Sequence, residues 1–149
     1  MSVSGLSDHT GYWMRMVSNA VSQEFARALL AEGVTVAEWS FLRALFEDEG
    51  MAPTALADRM GMTRGAISKL ADRLLAKGFV LRRDSETDLR GQSLALTEEG
   101  RAKVPVLAGI ADANDARFFG VLAREDHAAL DRTLRLLVAQ RGLRETPVD

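Results

Sequence analysis

Apolar residues fall into helical spacing over most of the chain. Between positions 10 and 31, Trp13, Met16, Val17, Ala20, Val21, Phe25, Ala28 and Leu29 recur at steps of three and four. That spacing predicts an amphipathic helix, stopped by Gly33. Residues 34–47 predict a second helix, with Val36, Trp39, Leu42 and Phe46 on one side and Gly50 after it. A short third helix follows, with Pro53 in its first turn, where a missing N–H costs nothing, and Leu56, Ala57 and Met60 turned inward. Gly61 ends it.

A fourth helix begins almost at once. Thr63 is placed to cap it, Met62 and Ile67 to form a hydrophobic staple, and Ile67, Leu70, Ala71, Leu74 and Leu75 to make its buried stripe. Gly78 is the expected left-handed stop, with Phe79 packing back. Two short helices joined by a tight glycine-containing turn outline a helix-turn-helix. Phe79 and Leu81 then alternate, as do Leu94 and Leu96, across a polar stretch at 84–91, which predicts a β-hairpin. A helix-turn-helix followed by a hairpin is a winged helix.

Thr97 is placed to cap a long helix over 98–119, which contains Pro105, expected to bend it, and Gly109, expected to weaken it. Gly120 separates it from a last helix over 124–140, whose expected buried residues are Leu130, Leu134, Leu137 and Val138. The tail from Arg141 is expected to fray. Ala52 and Ala123 stand where a capping Ser, Thr or Asp would serve better. The fold class is therefore mainly α with a small β wing, in a single domain over 1–149. Residues 34–97 form the winged helix-turn-helix, and 10–32 with 98–141 form a helical region. The winged helix is too small to cover all three outlying apolar stripes, and a symmetric dimer would cover them.

Composition narrows the function. At 47% hydrophobic and 27% charged residues the chain can bury a core. It has no cysteine and two histidines, His9 and His127, which removes thiol chemistry and argues against a histidine-rich metal site or a Ser-His triad. No metal or other cofactor is expected, and no nucleophile–base set points to an enzyme. The start has neither the basic end nor the apolar core of a secretion signal, and no long apolar run could span a membrane, so the cytoplasm is expected. Net charge is −2, but it is unevenly distributed. Residues 53–97 carry eight basic and five acidic residues, a net +3, while the remainder carries 11 basic and 16 acidic. A relatively electropositive middle is the footprint of a nucleic-acid-binding module.

The stretch D-L-R-G-Q-S-L-A-L-T-E-E-G, residues 88–100, and the phrase T-R-G-A-I-S-K-L-A-D-R-L-L-A-K-G-F-V, residues 63–80, carry a resemblance. With the order of elements, they make the sequence similar to the MarR family of bacterial winged-helix transcription regulators. That family's wing signature is D-x-R, three spacers, then apolar-x-L-T-x-x-G, matched here without a gap by Asp88, Arg90, Leu94, Leu96, Thr97 and Gly100. The resemblance spans about Gly11 to Gln140. It implies a homodimeric regulator, with repression as the expected mode, on a palindromic double-stranded operator.

In a helix-turn-helix the second helix enters the major groove. Arg64, Ser68 and Lys69 are the candidates for base edges, and small Gly65 and Ala66 would permit close approach. Thr54, Thr63 and Arg73 suit phosphates. Asp72 fits DNA least, and is expected to pair near Arg73 or Arg64. Arg82 and Arg83 can add phosphate contacts. An arginine at a hairpin tip suits a narrow minor groove, and Asp88 can orient Arg90 by a bidentate pair. The resemblance implies this role for both.

It also implies a small effector, often aromatic or anionic, between the outlying helices and the winged helix. His9, Tyr12, Trp13, Met16 and Trp39 are the candidates, with Arg15 as a counter-charge. Trp13, Met16 and Trp39 also fit an apolar core. The competing class is a winged-helix protein-interaction module without DNA binding; the basic helix face and Arg90 favour DNA.

Overall fold

The computed structural model describes residues 1–84 and 91–148. Its elements are α1 (Thr10–Leu30), α2 (Val36–Leu45), α3 (Pro53–Met60), α4 (Arg64–Ala76), β1 (Val80–Asp84), β2 (Gln92–Leu96), α5 (Glu98–Phe119) and α6 (Arg124–Arg141), with a 3-10 turn at Leu6–Asp8 before α1. β1 and β2 pair antiparallel from Val80↔Leu96 to Asp84↔Gln92. Met51 bridges to the other edge of β2 through Leu94, with N–H to O distances of 2.9 and 2.8 Å. This is a winged helix-turn-helix, α2–α3–α4–β1–β2, flanked by α1, α5 and α6.

Local signals set the boundaries. Thr35 caps α2 by accepting from the Glu38 N–H at 3.1 Å, while the Glu38 carboxylate takes the Thr35 N–H at 3.3 Å, a reciprocal capping box. Thr63 caps α4 through the Ala66 N–H at 3.1 Å, and Met62 packs on the core as the staple requires. Gly78, at φ +80°, lets the Phe79 N–H reach Leu74 O and the Gly78 N–H reach Leu75 O, which closes α4 sharply. Ala52 and Ala123 occupy their cap positions without a side-chain bond, and α3 and α6 start there regardless.

The core lies within the winged helix and the first half of α5. Phe41, Leu42, Leu45, Leu56, Met60, Ile67, Leu70, Leu74, Val80, Leu94, Leu96, Val104 and Leu107 are buried. Fully burying one such side chain stabilises the fold by about 1.5–3 kcal/mol. Thr97 joins two elements: its hydroxyl accepts the Gly100 N–H at 3.0 Å and donates to Gly78 O at 2.7 Å. Gly100 is dictated by close approach, because a β-carbon there would overlap the Phe79 carbonyl. The L-T-x-x-G half of the wing signature is thus a packing device between α4, β1 and α5.

Several expectations are corrected. On α2 the buried residues are Glu38, Phe41, Leu42 and Leu45, whereas Val36, Trp39 and Phe46 are half-buried. The helix is covered on two sides, by α3 and α4 and by α1 and α5, so apolar spacing alone selected only one of them. On β1 it is Val80 that is buried, and Leu81 is intermediate. On α4, Leu75 is half-buried. The helix expected over 98–119 is present as α5, with Pro105 inside it. α6 buries no residue within the chain: Leu137 is 48% and Val138 46% exposed, and Leu130 and Leu134 are half-covered. Trp13, Met16 and Val17 of α1 are also exposed. The amphipathic stripes are real, but within one chain they stay uncovered. The tail is docked rather than frayed. Gly142 turns it at φ +61°, and the Thr146 N–H donates to Met60 O at 2.9 Å.

Candidate nucleic-acid interface

α4 has two faces of opposite character. Ile67, Leu70, Ala71 and Leu74 are buried, while Arg64, Gly65, Ser68, Lys69, Asp72, Arg73 and Ala76 are exposed. Arg64, Ser68 and Asp72 lie in one i, i+4 row, and Gly65, Lys69 and Arg73 in the next, so the candidate contacts share one surface. Thirteen residues make the helix about 20 Å long, a length that fits along a major groove about 12 Å wide. Thr63 stands exposed at its N-terminal end, and Thr54 is exposed in the first turn of α3. The Thr63 oxygen serves the cap, which leaves its hydroxyl proton to donate outward.

Asp72 pairs neither near Arg73 nor near Arg64. Its Oδ1 accepts from Arg82 Nη2 at 2.8 Å, so an acid on α4 holds an arginine on β1. That ion pair is exposed and of small energy, but it gives Arg82 a resting position on the helix flank. Arg83 reaches Glu49 O at 3.4 Å. Asp88 and Arg90 lie outside the described residues. The strand pairing closes at Asp84↔Gln92, immediately before and after the segment that contains them.

Polar contacts tie α3, α4 and α5 to α2 and its flanking turns. Lys77 Nζ lies 2.6 Å from Glu38 Oε2 and donates to Gly33 O at 2.8 Å, which ties the end of α4 to α2 and to the turn after α1. Arg59 of α3 donates to Ala44 O at 2.9 Å and pairs with Asp48 at 2.6 Å. Arg101 of α5 donates to Phe46 O at 2.9 Å, with its guanidinium 5.4 Å from the centre of the Phe46 ring. None of these was foreseen from sequence. Only Glu38 left a trace there, as the fourth residue of T-V-A-E, a capping-box pattern.

A cavity of about 420 Å³ lies between α1, α2, α5 and the tail. Val21, Phe25, Val36 and Trp39 supply its apolar wall, with Ser22, Ser40, Asn114, Asp112, Asp115, Thr146 and Pro147 around it. Of the five effector candidates only Trp39 lines it. Tyr12 and Trp13 pack edge to face at 5.2 Å, Trp13 Nε1 donates to Ser7 O, His9 Nδ1 lies 3.0 Å from Gly5 O, and Met16 is exposed. Tyr12, Trp13 and Met16 belong to the N-terminal part of α1, as does Arg15, and His9 stands just before it; none of these lines the cavity. Asn114 was missed, although it continues the Val104, Leu107, Ala111 spacing of the inner α5 stripe.

Sequence comparison turns this geometry into a family. The MarR family model matches residues 32–91. Over 148 residues the chain is 30% identical to a putative transcriptional regulatory protein for the hcr operon of Thauera aromatica, spanning 97% of this chain and 86% of that one. The chain belongs to the MarR family. It is a DNA-binding transcription regulator of that family. The transcriptional repressor CouR, solved bound to a 23-mer DNA duplex, is similar with a TM-score of 0.81 and 25% identity, over 93% of this chain and 98% of that one. CouR from Rhodococcus jostii RHA1 bound to p-coumaroyl-CoA is similar with a TM-score of 0.76 and 29% identity, over 91% and 95%. No described helix is long and apolar enough to cross a membrane.

Proposed function

We propose that this MarR-family protein is a homodimeric, cytoplasmic repressor of a palindromic operator, acting by binding and not by catalysis, and released by a small molecule held in the Trp39 cavity. The observation that carries the DNA reading is the outer face of α4, where Arg64, Ser68, Lys69 and Arg73 are exposed together opposite a buried apolar face. Arg64, Ser68 and Lys69 meet base edges. Thr54, Thr63, Arg73 and Arg82 meet phosphates. Arg90 enters the minor groove with Asp88 orienting its guanidinium, a role that rests on the sequence motif.

The dimer reading rests on exposed apolar surface. Trp13, Met16 and Val17 on α1 and Leu136, Leu137 and Val138 on α6 are too many to leave in water on a monomer. A two-fold assembly through these helices covers them, with residues 10–32 and 98–141 as the dimerisation region and 34–97 as the DNA-binding region. The effector reading rests on the cavity, which adjoins α2 and therefore the contacts that tie α4 to it. The p-coumaroyl-CoA complex of CouR supports a ligand-responsive reading.

Selection of bound sequences from random DNA with purified protein tests the proposal. A palindrome with half-sites about one helical turn apart is expected. Arg73→Ala should lower the slope of log affinity against log salt by about one unit, whereas Lys69→Ala should relax sequence preference at one position of each half-site. Failure to enrich any sequence at low salt would instead favour an interaction module.

A further inference from the structure

The cavity wall carries a selective chemistry of its own. Asn114 is 4% exposed, and its Nδ2 donates to Val21 O at 3.3 Å. A carbonyl only accepts, so this contact fixes which end of the amide is nitrogen. The other end, Oδ1, is buried and has no partner. A buried acceptor left bare is costly, and it is satisfied by a donor from whatever enters the cavity.

Charge points the same way. Asp112 and Asp115 stand on the wall one turn of α5 apart, and among the described residues neither carboxylate has an ion-pair partner. No lysine or arginine lines the cavity. Phe25 and Trp39 offer flat apolar surface, and about 420 Å³ is within the range of small-molecule sites. A carboxylate placed here would face two like charges with no counter-charge. A neutral or cationic ligand would not.

Resting on the effector reading above, we infer that this cavity takes an aromatic ligand that donates hydrogen bonds and carries no negative charge, such as an arylalkyl amine or a phenolic alcohol. Asn114 Oδ1 receives the donor, the aromatic and aliphatic wall takes the ring, and Asp112 with Asp115 favours a positive charge. Of the aromatic or anionic effectors that the family resemblance implies, this keeps the aromatic ones and excludes the anionic.

Three probes of one shape separate the possibilities: tyramine, tyrosol and 4-hydroxyphenylacetate, which share a phenol ring and a two-carbon arm and end in an ammonium, a hydroxyl and a carboxylate. Calorimetry on the full-length protein is expected to give an order of tyramine, tyrosol, 4-hydroxyphenylacetate, with the first at least about tenfold tighter than the last. The Asp112→Asn, Asp115→Asn double variant, altered only at exposed positions, should bring the three together. Asn114→Leu should weaken tyramine and tyrosol by about tenfold, with thermal melting as its folding control. The inference is overturned if the carboxylate binds as tightly as the amine, if the double variant leaves their ratio unchanged, or if none of the three binds at millimolar concentration. Release of operator DNA is measured separately. Binding in the expected order without release would overturn the effector reading and leave the ligand class standing.

Discussion

Lys77 Nζ lies 2.6 Å from Oε2 of Glu38, whose side chain is 1% exposed. That oxygen is buried and has no hydrogen bond of good geometry among the described residues, so the ammonium is its ion-pair partner. Desolvating the carboxylate is costly, and the lysine offsets that cost while fixing the C-terminal end of α4 against α2. Lys77→Met strands the charge and should destabilise the protein by about 2 kcal/mol, below the value for a fully buried pair because Lys77 is partly solvated. Adding Glu38→Gln should recover most of the loss. Urea titration of the four variants in a double-mutant cycle measures the coupling, and a coupling near zero would show that the contact does not hold α4.

Arg82 and Asp72 set a second relation, between wing and recognition helix. Asp72 lies on the face proposed to meet DNA, where its charge opposes phosphate, and it holds Arg82 at 2.8 Å. Asp72→Asn removes one negative charge from that face and releases one arginine. Operator affinity should rise several-fold, and the salt slope should steepen by up to about one unit if Arg82 then reaches a phosphate. Stability should change by less than about 1 kcal/mol, because the pair is exposed. Fluorescence anisotropy on a labelled operator across a salt series reads the first two. Unchanged or weaker binding would mean that the acid serves base recognition.

Gly100 meets the Phe79 carbonyl where α5 leaves the hairpin. Gly100→Ala should destabilise by about 3 kcal/mol, since backbone has to move on both sides of the contact. Gly109, in the same helix, has open space where its β-carbon would stand. Gly109→Ala should gain up to about 1 kcal/mol from helix propensity. Thermal melts of the two variants should move in opposite directions, and a tolerated Gly100→Ala would remove the steric account of the L-T-x-x-G motif.

These residues also show what the chain discloses by itself. Pro53, Thr63, Gly61 and Gly78 act within a few positions of themselves, so the helix-turn-helix is readable from local rules. Gly100 was recognisable as part of a motif, but its cause is a carbonyl 21 positions away and needed coordinates. Glu38 was passed over because a charged residue in an amphipathic pattern reads as surface, and only its distant partner Lys77 makes burial tolerable. The stripes of α1 and α6 were legible as apolar, but apolar spacing does not say whether the same chain covers them, and here it does not. The exposed outer face of α4 emerged from sequence because helical period alone puts Arg64, Ser68 and Lys69 opposite Ile67 and Leu70. The cavity did not, since it is assembled from α1, α2, α5 and the tail, and four of the five effector candidates sit away from it.

The tail provides the last prediction. Gly61 adopts φ +64°, and a β-carbon there would meet the Arg144 backbone, two residues before Thr146, whose N–H donates to Met60 O. Gly61→Ala in the full chain therefore carries two penalties, the left-handed conformation and the displaced tail. In a chain ending at Gly142 only the first remains, about 1–2 kcal/mol. The substitution should thus cost more in the full chain than in the shortened one, by about 1 kcal/mol or more if the tail has to detach. Because Thr146 and Pro147 line the Trp39 cavity, Gly61→Ala in the full chain should also loosen ligand binding there, and shortening alone should do the same. Chemical denaturation of the four proteins, with calorimetry using tyramine, tests both halves. Equal costs in the two chain lengths would show that the tail does not rest on the turn between α3 and α4 in solution.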